Sequence, residues 1–301
     1  MIKLDSNKNL DGVISGFIAS YEKNLINETR HPHYLPDRNE VIEIITLLRK
    51  LLLPGYFDES SVPYSQCEVR YRITEVENKL HRQICRALNS NEKDMSCSDM
   101  YEKAGNICLR FLEKLPELLE ILVTDVQASY DGDPAASSKH EIIFSYPGFF
   151  AISIYRLAHE LHCLSVPLIP RMMTEYASSM TGIEIHPGAV IGSHFFIDHG
   201  TGVVIGETTK IGSHVKLYQG VTLGGISTRG GQSLRGKKRH PTIEDEVTVY
   251  SNASILGGET VIGKGCVICG NTFITQSVPP NTFVFLKNHE QALEYKAVSV
   301  R

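Results

Sequence analysis

The feature that most constrains the fold is a repeat of six residues that begins near Ile183. Neither a helix nor an alternating strand produces this spacing. A six-residue unit suits short straight segments separated by tight corners, with one aliphatic side chain per segment pointing inward. Three segments would make one triangular coil, and coils would stack by parallel strand pairing into a continuous core. The aliphatic positions are Ile185, Ile191, Ile197, Ile205, Ile211, Leu217, Leu223, Ile243, Val249 and Ile255.

The repeat departs from its period at three places. Between Ile197 and Ile205 the rhythm slips, an insertion occupies residues 226–240, and the register resumes one residue late at Ile262, Ile268 and Ile274. The late register predicts a bulge near 257–261. Pro279 and Pro280 are expected to end the array, which leaves residues 281–301 as a tail.

The first part of the chain, residues 1–182, has helical periodicity. One apolar stripe runs from Val41 to Leu52 and ends at Pro54, and another runs from Ile73 to Leu88. The stretch 100–130 predicts two helices with a break at Pro116, which cannot donate a backbone hydrogen bond. Two more helices are predicted after Pro147, ending near Gly182. The fold class expected is therefore α+β, an N-terminal α-helical domain followed by a β-helix at 183–280.

Composition excludes several functional classes. The formal net charge of −4 argues against broad nucleic-acid binding, and no run approaches the ~20 apolar residues of a membrane span. The start of the chain lacks the pattern of a secretory signal, so a cytoplasmic location is expected. Seven scattered cysteines predict reduced thiols.

The insertion is strongly basic. It contains five cations and no acidic residue, with glycines that allow flexibility. We interpret it as a local anion site for phosphates, with a solvated loop as the plain alternative. A nuclear-localisation patch in RGKKR is set aside, because such motifs match loosely. The cations are Arg229, Arg235, Lys237, Lys238 and Arg239.

The repeat resembles the hexapeptide-repeat family, whose members form a left-handed parallel β-helix and generally act as trimeric acyltransferases that use acyl-CoA. Acyl transfer to an alcohol needs a base, and histidine is the usual choice. Two histidines stand out by context. His199 lies where the repeat slips, and local rules tend to break at functional sites. His240 ends the basic insertion beside Arg239, a pair that suits a carboxylate ligand.

Within that family the chain resembles the serine acetyltransferases over roughly residues 120–280. The DPA segment followed by the YR-AHEL helix is the most specific part of the match, because related sugar and antibiotic acetyltransferases have nothing comparable. The matching segments are DVQASYDGDPAA at 125–136, GFFAISIYRLAHEL at 148–161, IEIHPGAVIG at 183–192, IDHGTGVVIGET at 197–208, VTLGG at 221–225 and RHP at 239–241.

The resemblance implies a role for each matching residue. His199 would be the general base and Glu184 the carboxylate that orients it, where many relatives have Asp. Asp133 and Asp198 would bind the ammonium of L-serine. Arg239 and His240 would bind the serine carboxylate. The residues expected to bind acetyl-CoA are Gly225, Ser251, Gly270 and Lys238.

The resemblance also implies partners and regulation. L-Cysteine is the expected feedback inhibitor, because it presents the same ammonium and carboxylate as serine. A homo-trimer or a hexamer made of two trimers is expected. Relatives insert a C-terminal tail, often ending in Ile, into O-acetylserine sulfhydrylase. This chain ends in Arg301, so we expect no stable complex of that kind.

No metal site is predicted. The pair Cys266 and Cys269 lacks a second pair, and both residues fall inside the repeat. His31 and His33 lack a clustered third ligand.

Three alternatives stay open at this point. The chain could acetylate another small hydroxy or amino substrate, it could be a β-helix carbonic anhydrase with three histidines on zinc, or it could be a trimeric scaffold. Asp133 bears on the first alternative, because its DPA context favours an amino-acid substrate. Metal analysis of the purified protein would test the second, and the third leaves the slip at His199 unexplained.

Overall fold

The computed structural model describes residues 6–23, 35–57, 65–91 and 95–286, with side chains from residue 10. In those ranges, helices come first and short strands follow. The α-helices are α1 (Ser6–Lys23), α2 (Arg38–Leu52), α3 (Gln66–Asn91), α4 (Cys97–Gly132), α5 (Lys139–Ser145), α6 (Pro147–Cys163) and α7 (Ile169–Thr181). The prediction for the tail and Arg301, and that for His31 and His33, lie outside the described residues.

The predicted apolar stripes of α2 and α3 are confirmed as core. Val41, Leu48 and Leu80 are buried, and α3 packs against both α2 and α4. The Asp37 side chain caps α2 by accepting hydrogen bonds from the backbone of Asn39 and Glu40. In the described residues no helix is long and apolar enough to cross a membrane.

The predicted break at Pro116 is wrong. Helix α4 runs without interruption for 36 residues and contains Pro116 in its interior. The proline lies on the exposed face, where water can hydrate the carbonyl that lacks a donor, and Leu115 and Leu118 hold the other face in the core. Burial of that apolar face outweighs the lost hydrogen bond.

Helix α7 ends at Gly182, as predicted. Gly182 adopts the left-handed conformation with a φ of 69°, and its N–H donates to the carbonyl of Ser178. The first strand follows two residues later. The chain therefore passes directly from the helical part into the repeat.

The repeat forms a triangular prism of three parallel sheets. Strand order is β1-β4-β7-β10-β13 in the first sheet, β2-β5-β8-β11 in the second and β3-β6-β9-β12-β14 in the third. The predicted aliphatic positions stack in register, as in Ile185 on Ile205 and Ile197 on Leu217. The strands are β1 (Glu184–Ile185), β2 (Val190–Ile191), β3 (Phe196–Ile197), β4 (Val204–Ile205), β5 (Lys210–Ile211), β6 (Lys216–Leu217), β7 (Thr222–Gly224), β8 (Thr242–Ile243), β9 (Thr248–Val249), β10 (Ser254–Leu256), β11 (Val261–Ile262), β12 (Val267–Ile268), β13 (Phe273–Ile274) and β14 (Phe283–Val284).

Two details of the repeat differ from expectation. The extra residue near 257–261 lies in the corner between β10 and β11, where Thr260 N–H donates to the carbonyl of Gly257, so both strands keep their pairing. The array also continues past Pro280, because β14 pairs with β12. Pro280 occupies a corner, where a missing N–H breaks no strand pairing.

A buried ion pair joins the helical part to the prism. Arg156 of α6 donates to both carboxylate oxygens of Asp125 on α4, at 2.6 and 2.9 Å, and also to the carbonyl of Gly192. Asp125 in turn accepts from the backbone N–H of Phe195. Breaking such a pair leaves a buried charge uncompensated, so α4 is held firmly against the first coil.

Candidate active site

His199 lies at a corner of the prism, in the connection from β3 to β4. Its φ of 57° and that of Gly200, 86°, turn the chain there. The imidazole is 70% exposed, whereas the neighbouring Asp198 carboxylate is only 12% exposed. The slip in the repeat therefore builds a corner that presents a histidine beside a mostly buried carboxylate. We call the corners on this side, residues 198–203, 218–221, 250–253 and 269–272, the His199 edge.

Asp133 reaches the same corner from the helical part. It caps the C-terminal end of α4, and its carboxylate accepts hydrogen bonds from Ala135 N–H at 2.8 Å and from the Tyr146 hydroxyl at 2.6 Å. These hydrogen bonds hold the pKa of Asp133 below its usual value, and the nearby Lys216 and His199 act in the same direction. The carboxylate is therefore ionised and able to accept a ligand ammonium.

Lys216 lies between the end of α4, which precedes Asp133, and the Asp198 carboxylate, and the sequence does not predict this role. Its Nζ donates to the carbonyl of Gly132 at 2.5 Å and lies 3.6 Å from Asp198 Oδ2. Lys216 occupies an outward position of the repeat, where a lysine looks like an ordinary surface residue. No local pattern predicts its contact with a helix end 84 residues earlier.

Glu184, the predicted orienting carboxylate, is engaged elsewhere. Its Oε1 accepts from Arg171 Nη2 at 2.9 Å, and in the described chain no hydrogen bond joins it to His199. The nearest carboxylate to His199 Nδ1 is Asp198 Oδ1, at 3.7 Å, which is beyond hydrogen-bonding distance. The pairing of Glu184 with His199 stays a prediction.

Arg239 and His240 lie at a different edge of the prism. They close the insertion just before β8, and Glu207 and Thr208 follow β4 at the same side. We call these corners, residues 186–189, 206–209, 225–241 and 257–260, the His240 edge. His199 precedes β4 and Glu207 follows it, so the His199 edge and the His240 edge lie at opposite ends of this strand. A single chain therefore does not bring the two halves of the predicted serine site together.

The protonation of His240 follows from its hydrogen bonds. Its Nδ1 accepts from the backbone N–H of Thr208 at 3.0 Å, which places the ring proton on Nε2. Burial and, to a smaller extent, the cation of Arg239 together lower the pKa of His240 to about 4. At neutral pH this imidazole is therefore an uncharged donor through Nε2–H.

Arg239 is held by one acid and keeps one nitrogen unpaired. Its Nη2 hydrogen bonds to Glu207 Oε2, and although burial opposes ionisation, that contact keeps the pKa of Glu207 below its usual value. Its Nη1 is buried, and among the described residues it has no hydrogen-bond partner. An unpaired guanidinium nitrogen is the kind of group that an anionic ligand satisfies.

Gly206 and Thr208 belong to this half of the site and were not predicted. A Cβ at position 206 would lie 2.1 Å from the His240 ring, so only glycine allows the ring to pack there. The Thr208 hydroxyl accepts from the backbone N–H groups of Arg239 and His240. Glycine also follows the aliphatic in other repeats, as in Ile191-Gly192 and Ile211-Gly212, so Gly206 carries no distinguishing signal in the sequence.

The residues predicted to contact acetyl-CoA divide between the edges. Ser251 and Gly270 stack on each other at the His199 edge, in the coils that follow His199. Gly225 and Lys238 lie at the His240 edge. Lys238 Nζ donates to the carbonyls of Thr208 and Pro241, so it fastens the return of the insertion, and burial lowers its pKa.

No group of three or more His, Cys, Asp or Glu side chains is arranged to hold a metal ion among the residues that the structure describes. Cys266 is buried inside the prism, where its thiol donates to the carbonyl of Pro279. All seven cysteines are free thiols, as expected.

Comparisons with known sequences agree with one another. The family described as "Serine acetyltransferase, N-terminal" matches residues 70–153. A protein of Synechococcus elongatus named "Serine acetyltransferase, plasmid" is 42% identical over 289 residues, which is 91% of this chain and 90% of that protein. A serine acetyltransferase of Bacillus licheniformis is 47% identical over 160 residues, 53% of this chain and 71% of its own length.

Solved structures give the same result for the fold. Serine acetyltransferase isoform 3 of Entamoeba histolytica, in complex with cysteine, matches with a TM-score of 0.73 and 35% identity over 84% of each chain. Serine acetyltransferase 1 of the same organism, in complex with L-cysteine, matches with a TM-score of 0.72 and 37% identity over 80% of this chain and 86% of that one. The expected fold class, helices followed by a left-handed parallel β-helix, is confirmed.

Proposed function

Because this chain belongs to the serine acetyltransferase family, we propose that it transfers the acetyl group of acetyl-CoA to the hydroxyl of L-serine in cysteine biosynthesis, with His199 as the general base. The observation that carries the proposal is the exposed His199 imidazole beside two carboxylates, Asp133 and Asp198, that come from different parts of the chain. A base next to paired anions suits an alcohol that also carries an ammonium group.

Both ends of serine have complementary groups. Asp133 and Asp198 bind the ammonium, and the hydrogen bonds that keep Asp133 ionised support this assignment. Arg239 Nη1 and the Nε2–H of neutral His240 bind the carboxylate. Four groups therefore fix the orientation of the serine hydroxyl, which is a prerequisite for efficient transfer.

The reaction needs no covalent acyl-enzyme. His199 removes the hydroxyl proton as the serine oxygen attacks the thioester carbonyl of acetyl-CoA. The carbon–sulfur bond then breaks, the thiolate of CoA leaves, and the protonated His199 supplies its proton to the sulfur. Glu184 remains the proposed orienting carboxylate, which requires its carboxylate to leave Arg171.

Acetyl-CoA is proposed to lie along the His199 edge of one chain, with its phosphates under the insertion of a neighbouring chain, because the insertion belongs to the His240 edge. Ser251 and Gly270 are small residues that would leave their backbone open to the pantetheine arm, and Gly225 lines the opposite side. Lys238 already donates to two carbonyls. The exposed Arg235 and Lys237 are therefore better placed to meet the phosphates.

A complete site requires more than one chain. The ammonium half lies at the His199 edge and the carboxylate half at the His240 edge, and a threefold arrangement of prisms would place one edge beside the other. We therefore propose a homo-trimer, or a hexamer of two trimers.

L-Cysteine is proposed as a competitive inhibitor. It differs from serine only in the thiol, so Asp133, Asp198, Arg239 and His240 would hold it in the same way. Solved relatives contain cysteine. We expect millimolar cysteine to raise the KM for serine without changing kcat, and inhibition insensitive to serine concentration would contradict a shared site.

The activity is tested by mixing the protein with acetyl-CoA and L-serine, L-homoserine or L-threonine while following release of free thiol. We expect serine to be preferred, and His199→Ala to lower kcat by about 10²–10⁴-fold, the usual contribution of a general base. His214→Ala is the matched control, because His214 has a similar φ of 60° at another edge. Unchanged turnover in His199→Ala would overturn the assignment.

A further inference from the structure

We infer that Lys216 is a positioning residue, whose ammonium joins the end of α4 to the His199 edge so that Asp133 and Asp198 face one ligand ammonium. This inference rests on the proposed function, because it concerns the same serine site. Lys216 is not among the residues to which the family resemblance assigns a role.

The contacts of Lys216 span the two parts of the fold. Its Nζ donates to the carbonyl of Gly132, the last residue of α4, and Asp133 follows directly as the helix cap. The same Nζ lies 3.6 Å from Asp198 Oδ2. The Lys216 ammonium therefore fixes the backbone that leads into Asp133, and it also lies close to the carboxylate of Asp198.

The ammonium group is also enclosed by aromatic rings. It lies 4.8 Å from the ring centre of Phe196 and 4.6 Å from that of Tyr218, and the Lys216 side chain is only 19% exposed. Such cation–π contacts stabilise a partly desolvated ammonium. A mobile surface lysine would not be held on three sides in this way.

The approach of α4 to the prism is close enough to make this contact specific. A Cβ at Gly132 would lie 2.8 Å from the Phe196 ring, so the helix end packs directly on β3. Carbonyl groups at a helix C-terminus carry partial negative charge, which a lysine complements. Loss of the ammonium would leave the Gly132 carbonyl without this donor and allow the α4 end to shift.

The local charge balance explains why the Lys216 ammonium does not take the place of the ligand ammonium. The charged and titratable groups around Lys216 are Asp133, Asp198 and His199, together with two tyrosines, Tyr146, which donates to Asp133, and Tyr218, whose ring the ammonium contacts. Two carboxylates and one lysine leave one net negative charge, which matches one ligand ammonium. At 3.6 Å Lys216 does not hydrogen bond to Asp198, so both oxygens of that carboxylate remain available.

The test compares Lys216→Met, Lys216→Arg and the control Lys264→Met, a lysine that pairs with Glu246 at the edge between the second and third sheets. For Lys216→Met we expect about a tenfold rise in the KM for serine and in the inhibition constant of cysteine, the size of one charge-assisted hydrogen bond. The kcat and the KM for acetyl-CoA should stay within about twofold. Lys216→Arg should retain most of the affinity, and Lys264→Met should match the wild type.

Hydrogen exchange supplies a readout that does not depend on turnover. Amides of residues 130–136 should exchange faster in Lys216→Met than in the wild type or in Lys264→Met. A lower KM for serine in Lys216→Met would overturn the inference, because it would make Lys216 a competitor of the substrate. If Lys216→Met is active and its KM for serine and inhibition constant for cysteine are unchanged, the inference is overturned but the proposed function is not. A wild-type protein that does not acetylate serine would overturn the proposed function as well.

Discussion

His199 and His240 differ in exposure and in hydrogen bonding, and the difference decides what each can do. His199 is open to a ligand at a corner. His240 is packed on Gly206, with its Nδ1 occupied by Thr208 N–H. One imidazole is therefore free to take a proton, whereas the other is fixed as a neutral donor.

The packing of His240 on Gly206 gives a prediction for serine binding. Gly206→Ala would place a methyl group 2.1 Å from the ring and displace it, so we expect the KM for serine to rise about tenfold, the loss of one hydrogen bond to a charged group. Gly105→Ala is the control, because its Cβ would meet only His81, at 3.8 Å. Steady-state kinetics with a serine KM unchanged in Gly206→Ala would show that the ring position is irrelevant.

The burial of His240 predicts a pH dependence of stability. The pKa is lowered from 6.5 to about 4 in the folded chain, so the unfolded chain binds more protons between these values. The contribution of His240 to stability is therefore fully present above pH 6.5 and is lost as the pH falls toward 4. His186 has the same direction of shift, to about 4, and contributes likewise.

His240→Gln cannot be protonated in this range, so its thermal midpoint should fall less steeply than that of the wild type between pH 6.5 and 4.5. The double variant with His186→Gln should be flatter still. Parallel curves for all three proteins would contradict the lowered pKa values.

At the level of elements, two of the incorrect predictions share one physical cause. Because proline lacks an N–H, the sequence predicts a helix break at Pro116 and the end of the array at Pro280. Pro116 lies on an exposed helix face and Pro280 at a prism corner, and in neither place does the missing donor leave a buried carbonyl unpaired. The sequence shows where each proline lies, but it does not show the exposed surroundings that tolerate a proline there.

The period of six was a reliable guide because each inward aliphatic must stack on its equivalent in the next coil. Ile205 and Leu223, for example, were predicted as core and are buried. Lys216 and Gly206 could not be predicted, since their importance arises from contacts with Gly132 and His240, far away in the sequence. Local periodicity contains no information about such pairs.

The continuous α4 gives a stability prediction. In Pro116→Ala the new N–H can donate to the carbonyl of Leu112, and we expect the free energy of unfolding to rise by about 1–3 kcal/mol. Glu120→Ala, also on the exposed face, should change it little. Denaturant unfolding measures both, and a Pro116→Ala variant less stable than the wild type would mean that the proline is required by its local geometry.

At the level of the whole molecule, the structure separates the two halves of the proposed serine site. The helical part reaches one edge of the prism through Asp133, and the basic insertion closes another edge through Arg239 and His240. In the proposed trimer, the activity would require two neighbouring chains. Each interface would combine the His199 edge of one chain with the His240 edge of the next.

Complementation between two inactive variants tests this account most directly. His199→Ala and the double variant Arg239→Ala with His240→Ala should each lack activity as pure proteins. When the two are co-expressed at equal levels, random assembly leaves both halves intact at about a quarter of the interfaces, so about a quarter of wild-type thiol release with serine should return. Mixed oligomers that remain inactive would contradict a site shared between chains with His199 as its base.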